Sequence, residues 1–165
     1  MGIPKTRSSL SRILDTVTQR PAHVYEVYIR TTPERLWAAI TSPEYTRRYF
    51  YGGWFESTWQ PGAVYRTLLD DGTTPFEGTL LEVDPPRRLA YTFHYVGDEQ
   101  TRAEHPSRVT WEIAPLGEEC KLTVVHDEFA EGETVTYTKV GGGWPFILSN
   151  LKSLLETGEP LQVSA

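Results

Sequence analysis

The chain has 165 residues, of which 39% are apolar and 23% charged, a balance that is typical of one globular domain and excludes a disordered chain. Its 16 basic and 22 acidic residues give a net charge of -6, and the basic residues form no stripe, so no nucleic-acid partner is expected. The sequence contains no apolar run near the roughly 20 residues of a membrane-spanning helix, so no integral membrane association is expected.

Residues 1–22 are predicted to be an N-terminal extension that contains one short amphipathic helix. Four apolar residues recur there at helical spacing: Leu10, Ile13, Leu14 and Val17. A helix of this length is marginal alone in water, so we expect it to dock on the domain or on a second copy of the chain, which leaves a homodimer open. The extension lacks the features of a signal peptide, and the lone Cys120 cannot form an intramolecular disulfide, so the expected location is cytoplasmic.

A strand and two short helices are predicted next. In "AHVYEVYIRT", residues 22–31, side chains of different polarity alternate, which is typical of a strand with one buried face. Thr32 and Ser42 can each cap a helix, and each precedes a proline that suits a first helical turn. These signals predict two short helices in series after the first strand.

A run of short strands is predicted from residue 62 to residue 129. Five stretches of alternating side chains are separated by turn signals such as Asp71-Gly72 and the loop at 116–119. Loops of hairpin length indicate antiparallel pairing. With the first strand, the predicted sheet has about six strands, and only one of its faces is strongly apolar.

Residues 141–158 are predicted to cover that apolar face with a long C-terminal helix. Apolar side chains recur there at spacings of three and four: Trp144, Ile147, Leu148, Leu151, Leu154 and Leu155. The glycines at 141–143 are interpreted as a hinge between the last strand and the helix, Pro145 as part of its first turn, and Gly158 as its C-cap. The predicted fold class is α+β, with a curved antiparallel sheet wrapped around the long helix.

Four segments of the chain resemble a known family, the bacterial proteins similar to the C-terminal domain of the activator of Hsp90 ATPase, within the START-like, Bet v 1-like helix-grip superfamily. The segments are "TTPERLWAAITSPE", "EVDPPRRLAYTF", "SRVTWEIAPLGEECKLTVVHDEF" and "GGGWPFILSNLKSLLETG". The resemblance runs from about Tyr25 to Gly158. It implies one helix-grip domain over residues 23–160, with a cavity between the sheet and the C-terminal helix.

Aromatic side chains are concentrated where such a cavity would open. Six of them lie within residues 49–59, around Gly52-Gly53, where the second helix meets the following strand. The candidate ligand-binding residues are Tyr49, Phe50, Trp54, Trp59, Tyr91, Phe93, Tyr95, Trp111, His126, Trp144, Ile147, Leu148 and Leu151. The alternative interpretation is that these rings only fill the core.

His126 is the one weak candidate for a catalytic residue, because strand alternation points it toward the apolar face. An inward histidine could hydrogen-bond a ligand or transfer a proton, and the alternative is a core histidine satisfied by a carbonyl or a hydroxyl. Cys120 shares its strand but lies about 20 Å away at strand rise, too far to ligate one metal with it. Neither a metal nor a cofactor is expected.

Three functions fit the sequence. The first is binding of a small hydrophobic or amphipathic molecule in the cavity, without catalysis. The second, implied by the helix-grip resemblance, is an enzyme of the polyketide cyclase or dehydratase type that uses the same cavity. The third is an Hsp90 co-chaperone-like protein interaction, but the activator itself carries an additional N-terminal chaperone-binding domain, and residues 1–22 are too short to hold one.

Overall fold

In the computed structural model, which describes residues 20–161, a curved antiparallel sheet of seven strands wraps around a long C-terminal helix. In chain order the elements are β1 (His23–Ile29), α1 (Pro33–Thr41), α2 (Pro43–Tyr49), β2 (Trp54–Ser57), β3 (Val64–Leu68), β4 (Phe76–Asp84), β5 (Arg88–Tyr95), α3 (Glu99–Arg102), β6 (Ser107–Leu116), β7 (Glu119–Asp127) and α4 (Val135–Thr157). The predicted N-terminal helix lies outside the described residues. None of the helices in residues 20–161 is both long enough and apolar enough to cross a membrane.

The sheet has the order β1-β7-β6-β5-β4-β3-β2, so β1 and β2 are its edges. The strand that the sequence did not indicate is β2, which has only four residues and lies inside the aromatic run at 49–59. Register aligns the central strands: Trp111 on β6 faces Leu89 on one side and Val124 on the other. The apolar side chains of β5, β6 and β7 therefore share the concave face that α4 covers.

The two short helices begin where predicted and bond the end of α4 through Arg35 and Arg48, but only Thr32 caps its helix, since the Ser42 side chain makes no capping hydrogen bond. The Thr32 hydroxyl accepts a hydrogen bond from the backbone N–H of Arg35 at 3.2 Å. The Arg35 guanidinium in turn donates to the carbonyl of Leu155 at 2.9 Å. Gly158 ends α4 with φ of 85°, a left-handed conformation that favours glycine, as the C-cap prediction required.

The long helix begins earlier than predicted, and the interpretation of its glycines was wrong. α4 starts at Val135, so Gly141–Gly143 lie inside the helix and Pro145 lies at its middle. Side chains from the added turns, Thr136 and Val140, are buried, and this packing outweighs the low helix propensity of glycine. Because proline has no N–H, it cannot satisfy the Gly141 carbonyl four residues earlier. The Tyr25 hydroxyl donates to that carbonyl instead, at 3.2 Å.

The neighbouring glycines in α4 should respond in opposite ways to alanine. A Cβ added at Gly141 would lie 2.9 Å from Cε1 of His23, whereas one added at Gly142 would meet no atom within 4 Å. We therefore expect Gly142→Ala to raise the free energy of unfolding by about 0.5–1 kcal/mol, through helix propensity, and Gly141→Ala to lower it. Urea unfolding of both variants measures the difference, and equal stabilities would contradict this packing of β1 on α4.

Candidate functional site

A cavity of about 110 Å³ opens between the first half of α4, the junction of α2 with β2, and the concave side of β3 to β5. Its walls are formed by Phe50, Tyr51, Gly53, Trp54, Phe55, Thr67, Leu69, Pro75, Phe76, Phe93, Tyr95, Val140, Gly143, Trp144 and Ile147. Most of these side chains are aromatic or aliphatic, so the space favours an apolar occupant.

Mutual ring contacts hold the inner wall of the cavity. Phe55 on β2 lies with its ring centroid 5.7 Å from that of Phe50 and 5.7 Å from that of Phe76. The rings of Phe76 and Phe93 are 4.4 Å apart, and this contact joins β4 to β5. Phe50 also meets Trp144 of α4 edge to face, at 6.2 Å. The α2–β2 junction, the sheet and α4 are thus joined through one aromatic cluster.

The mouth of the cavity carries a strained tyrosine. Tyr51 has φ of 50°, in the left-handed region that a bulky side chain adopts only at a cost, and Gly52 follows with φ of 75°. The exposed ring of Tyr51 stacks on Phe146 of α4, with centroids 5.4 Å apart and planes 15° apart. Its hydroxyl also lies beside Gly143. This stacked pair, which we call the Tyr51–Phe146 lid, joins the α2–β2 turn to the helix.

Tyr95 adds a polar group to the wall. Burial, and to a lesser extent the neighbouring Tyr51, raise the pKa of Tyr95 to about 12. Its phenol is therefore protonated at neutral pH and can donate a hydrogen bond to the polar end of a ligand.

His126 is fully buried behind the cavity wall, in a chain of hydrogen bonds. The indole N–H of Trp144 donates to Nδ1 of His126 at 3.0 Å, and Nε2 lies 2.7 Å from the hydroxyl of Ser107. Because an indole N–H can only donate, Nδ1 must be the acceptor, so the neutral ring carries its proton on Nε2 and donates to Ser107. The Ser107 hydroxyl then donates to the carbonyl of Phe93 at 3.3 Å.

These hydrogen bonds hold the His126 ring neutral, with both ring nitrogens paired. Burial, the larger cause, and the nearby His23 lower the pKa of His126 to about 3. A protonated ring would also point an N–H on Nδ1 at the N–H of Trp144. In this tautomer His126 cannot accept the Ser107 proton, so the pair lacks the arrangement of a nucleophile and its base.

The structure brings six of the thirteen candidate residues to the cavity: Phe50, Trp54, Phe93, Tyr95, Trp144 and Ile147. The others lie elsewhere. Tyr49 donates to the carbonyl of Ala39 at 2.8 Å, and Trp59 packs on the far side of Phe55. Behind the wall, the Trp111 indole donates to the Tyr91 hydroxyl at 3.0 Å. Three further candidates do not line the cavity either: His126, Leu148 and Leu151.

Several lining residues are absent from the sequence-based candidates. They are Tyr51, Gly53, Phe55, Thr67, Leu69, Pro75, Phe76, Val140 and Gly143. A signal existed for Val140, because it continues the helical spacing of Trp144 and Ile147 upstream of the glycines. Tyr51 and Phe55 belong to the aromatic run already noted. The strand signals on β3 and β4 did not show which of their residues would reach the cavity.

Within residues 20–161, the structure shows no group of three or more His, Cys, Asp or Glu side chains that could hold a metal ion. The polar side-chain groups that line the cavity are hydroxyls and indole N–H groups.

Comparisons with known proteins identify a matching family and similar folds. The family model described as activator of Hsp90 ATPase homolog 1-like protein matches residues 30–156. Protein MLL2253 of Mesorhizobium loti is similar in structure, with 24% identity, a TM-score of 0.69, and coverage of 82% of this chain and 96% of that one. CalU16 of Micromonospora echinospora has 22% identity and a TM-score of 0.66, covering 86% and 77%.

The solution structure of the Aha1 dimer from Colwellia psychrerythraea is also similar, with 14% identity, a TM-score of 0.66, and coverage of 84% of this chain and 98% of that one. At these identities the likeness shows a shared fold. A search of curated proteins found no match.

Proposed function

The chain belongs to the family of activator of Hsp90 ATPase homolog 1-like proteins, and from this premise we propose that it binds a small apolar molecule in the cavity beside α4. The observation that carries the proposal is the cavity itself, an apolar space lined mostly by aromatic rings and bordered by the glycine-containing part of α4.

The volume of the cavity limits the size of the ligand. At about 110 Å³ it is smaller than the roughly 300–1,000 Å³ of sites for drug-sized ligands, and closer to the roughly 150 Å³ cavity that holds a benzene molecule in another protein. A single apolar ring fits this description. Its burial would supply about 4–5.5 kcal/mol, which corresponds to a Kd on the order of 0.1–1 mM.

Larger or amphipathic ligands require the mouth to open. The part of α4 that borders it contains Gly141–Gly143, and Pro145 removes one backbone hydrogen bond, so this part has the lowest intrinsic helix propensity in α4. Its outward movement would separate the Tyr51–Phe146 lid. A polar end group would then lie near the Tyr51 and Tyr95 hydroxyls, with the apolar part against Phe50.

The cyclase-type alternative needs an acid or base that touches the ligand. Within the described residues, the titratable side chains that line the cavity are Tyr51 and Tyr95, and burial raises the pKa of both. Neither supplies a base at neutral pH, and His126 lies behind Phe93 and Trp144. The co-chaperone alternative draws its support from the family's description alone. Binding without catalysis is therefore the function that the geometry favours.

A cavity-filling variant tests the proposal with toluene as the probe. Val140→Phe places a ring in the cavity, so we expect it to abolish toluene binding while changing the free energy of unfolding by less than about 1.5 kcal/mol, because it fills existing space. The matched control is Val64→Phe, the same change at a side chain that is 76% exposed on β3. Saturation-transfer NMR measures binding, and toluene binding that survives in Val140→Phe would refute the proposed site.

A further inference from the structure

A second concave surface lies between the edge strand β1 and the outer side of α4, and it is separate from the ligand cavity. This β1–α4 groove has a volume of about 470 Å³ and shares no lining residue with the cavity. Tyr25 and Val27 line it from β1, Leu148 from α4, and Leu161 from the segment after the helix. Leu161 is 45% exposed, so apolar surface is left open there.

The described chain begins upstream of this groove, near the first turns of α4. The Arg20 guanidinium lies 5.0 Å above the ring of Tyr137, in the first turns of α4. From there β1 and α4 run in the same direction, because His23 bonds the carbonyl of Tyr137 and the ammonium of Lys152 bonds the carbonyl of Tyr28. The 19 residues that precede Arg20 therefore start on the side of the groove nearest the beginning of α4, and the groove extends away from them toward Leu161.

We propose that residues 8–18 form a helix that occupies the β1–α4 groove, antiparallel to α4. Pro21 ends the helix and allows the chain to turn into β1. The lengths agree: the groove follows α4 from Pro145 to Thr157, about 18 Å, and an 11-residue helix is about 16 Å long. The apolar stripe of the segment would then cover the exposed apolar surface of the groove. These residues are Leu10, Ile13, Leu14 and Val17.

Charge favours the same direction. Residues 1–19 contain three basic side chains and one acidic side chain. In the antiparallel arrangement the basic Lys5 and Arg7 lie nearest the far end of the groove, where Glu156 lines it and the 80% exposed Glu159 follows; these carboxylates also pair with Lys152 and Arg48. The segment is also tethered to β1, so its effective concentration at its own groove exceeds that of another chain in dilute solution. These arguments favour the chain's own segment over a second copy.

Disulfide trapping in the full-length chain tests this proposal without a ligand. The double variant Leu14→Cys with Ser149→Cys places one thiol on the predicted stripe and one on the exposed groove side of α4. The control is Leu14→Cys with Glu77→Cys, which moves the second thiol to an exposed position on β4, outside the groove. The native Cys120 is buried and stays in both proteins.

We expect the groove pair to form an intrachain disulfide at least about tenfold faster than the control pair at micromolar protein. Non-reducing electrophoresis and intact mass distinguish this product from a disulfide-linked dimer. Equal rates in the two variants would overturn the proposal, because the segment would then have no preference for the groove. A linked dimer as the main product of the groove pair would overturn it in favour of docking on a second copy.

Discussion

The wild-type protein should lose stability as the pH falls below about 6.5, and replacing His126 by glutamine should abolish this pH dependence. Histidine in an unfolded chain has a pKa near 6.5, whereas the pKa of His126 in the folded protein is about 3. Between these values the unfolded chain binds a proton that the folded protein does not. The free energy of unfolding therefore falls with decreasing pH, by up to about 1.4 kcal/mol per unit.

The comparison is clearest between pH 6.5 and pH 5, before most carboxylates titrate. At pH 7 we expect His126→Gln to be less stable by about 1–3 kcal/mol, because its amide replaces the bonds to Trp144 and Ser107 imperfectly. By pH 5 the difference from the wild type should shrink by about 2 kcal/mol. Urea unfolding at a series of pH values measures it, and a constant difference would show that His126 is not held neutral.

Replacing Trp144 by alanine should have the largest effect on stability among the cavity residues. Its ring is buried against Trp111 and Phe50, and its indole N–H is the donor to Nδ1 of His126. Loss of the ring should lower the free energy of unfolding by about 3–5 kcal/mol. Because Trp144 also lines the cavity, the variant should admit probes larger than toluene, such as naphthalene.

Two further variants separate the causes of this effect. Trp144→Phe keeps a ring but removes the N–H, so it should cost about 1–3 kcal/mol without admitting naphthalene. Trp37→Ala removes a half-buried indole from α1, away from the cavity, and should leave toluene binding unchanged. If Trp144→Ala and Trp37→Ala altered toluene binding equally, Trp144 would not be part of the site.

Local signals in the sequence predicted most of the fold. Strand alternation located β1 and β3 to β7, and the Thr32 cap and Gly158 located helix ends, because each depends on neighbours within a few residues. The start of α4 depends on distant partners instead. The Tyr25 hydroxyl that satisfies the Gly141 carbonyl lies 116 residues earlier in the chain. A local pattern could not show that this contact sustains a helix through three glycines.

Only part of the candidate site could be predicted, because many of its contacts join residues that are distant in the chain. The aromatic run at 49–59 marked the mouth of the cavity, and the helical stripe marked Trp144 and Ile147. Phe76 reaches the cavity because strand pairing places it opposite Tyr95, with its ring against those of Phe55 and Phe93, and these partners are distant in the chain. For His126, parity predicted burial, while its tautomer follows from the Trp144 indole on a different element.

The most direct test of a ligand site in this cavity is an NMR experiment that detects intermolecular NOEs between toluene and isotope-labelled methyl groups. We expect NOEs from toluene to the methyls of Val140 and Ile147, which line the cavity. Methyls outside it, such as those of Val27 in the β1–α4 groove, should give none. Absence of NOEs at Val140 and Ile147 in toluene-saturated protein, or NOEs confined to Val27 and Leu148, would contradict the proposed function.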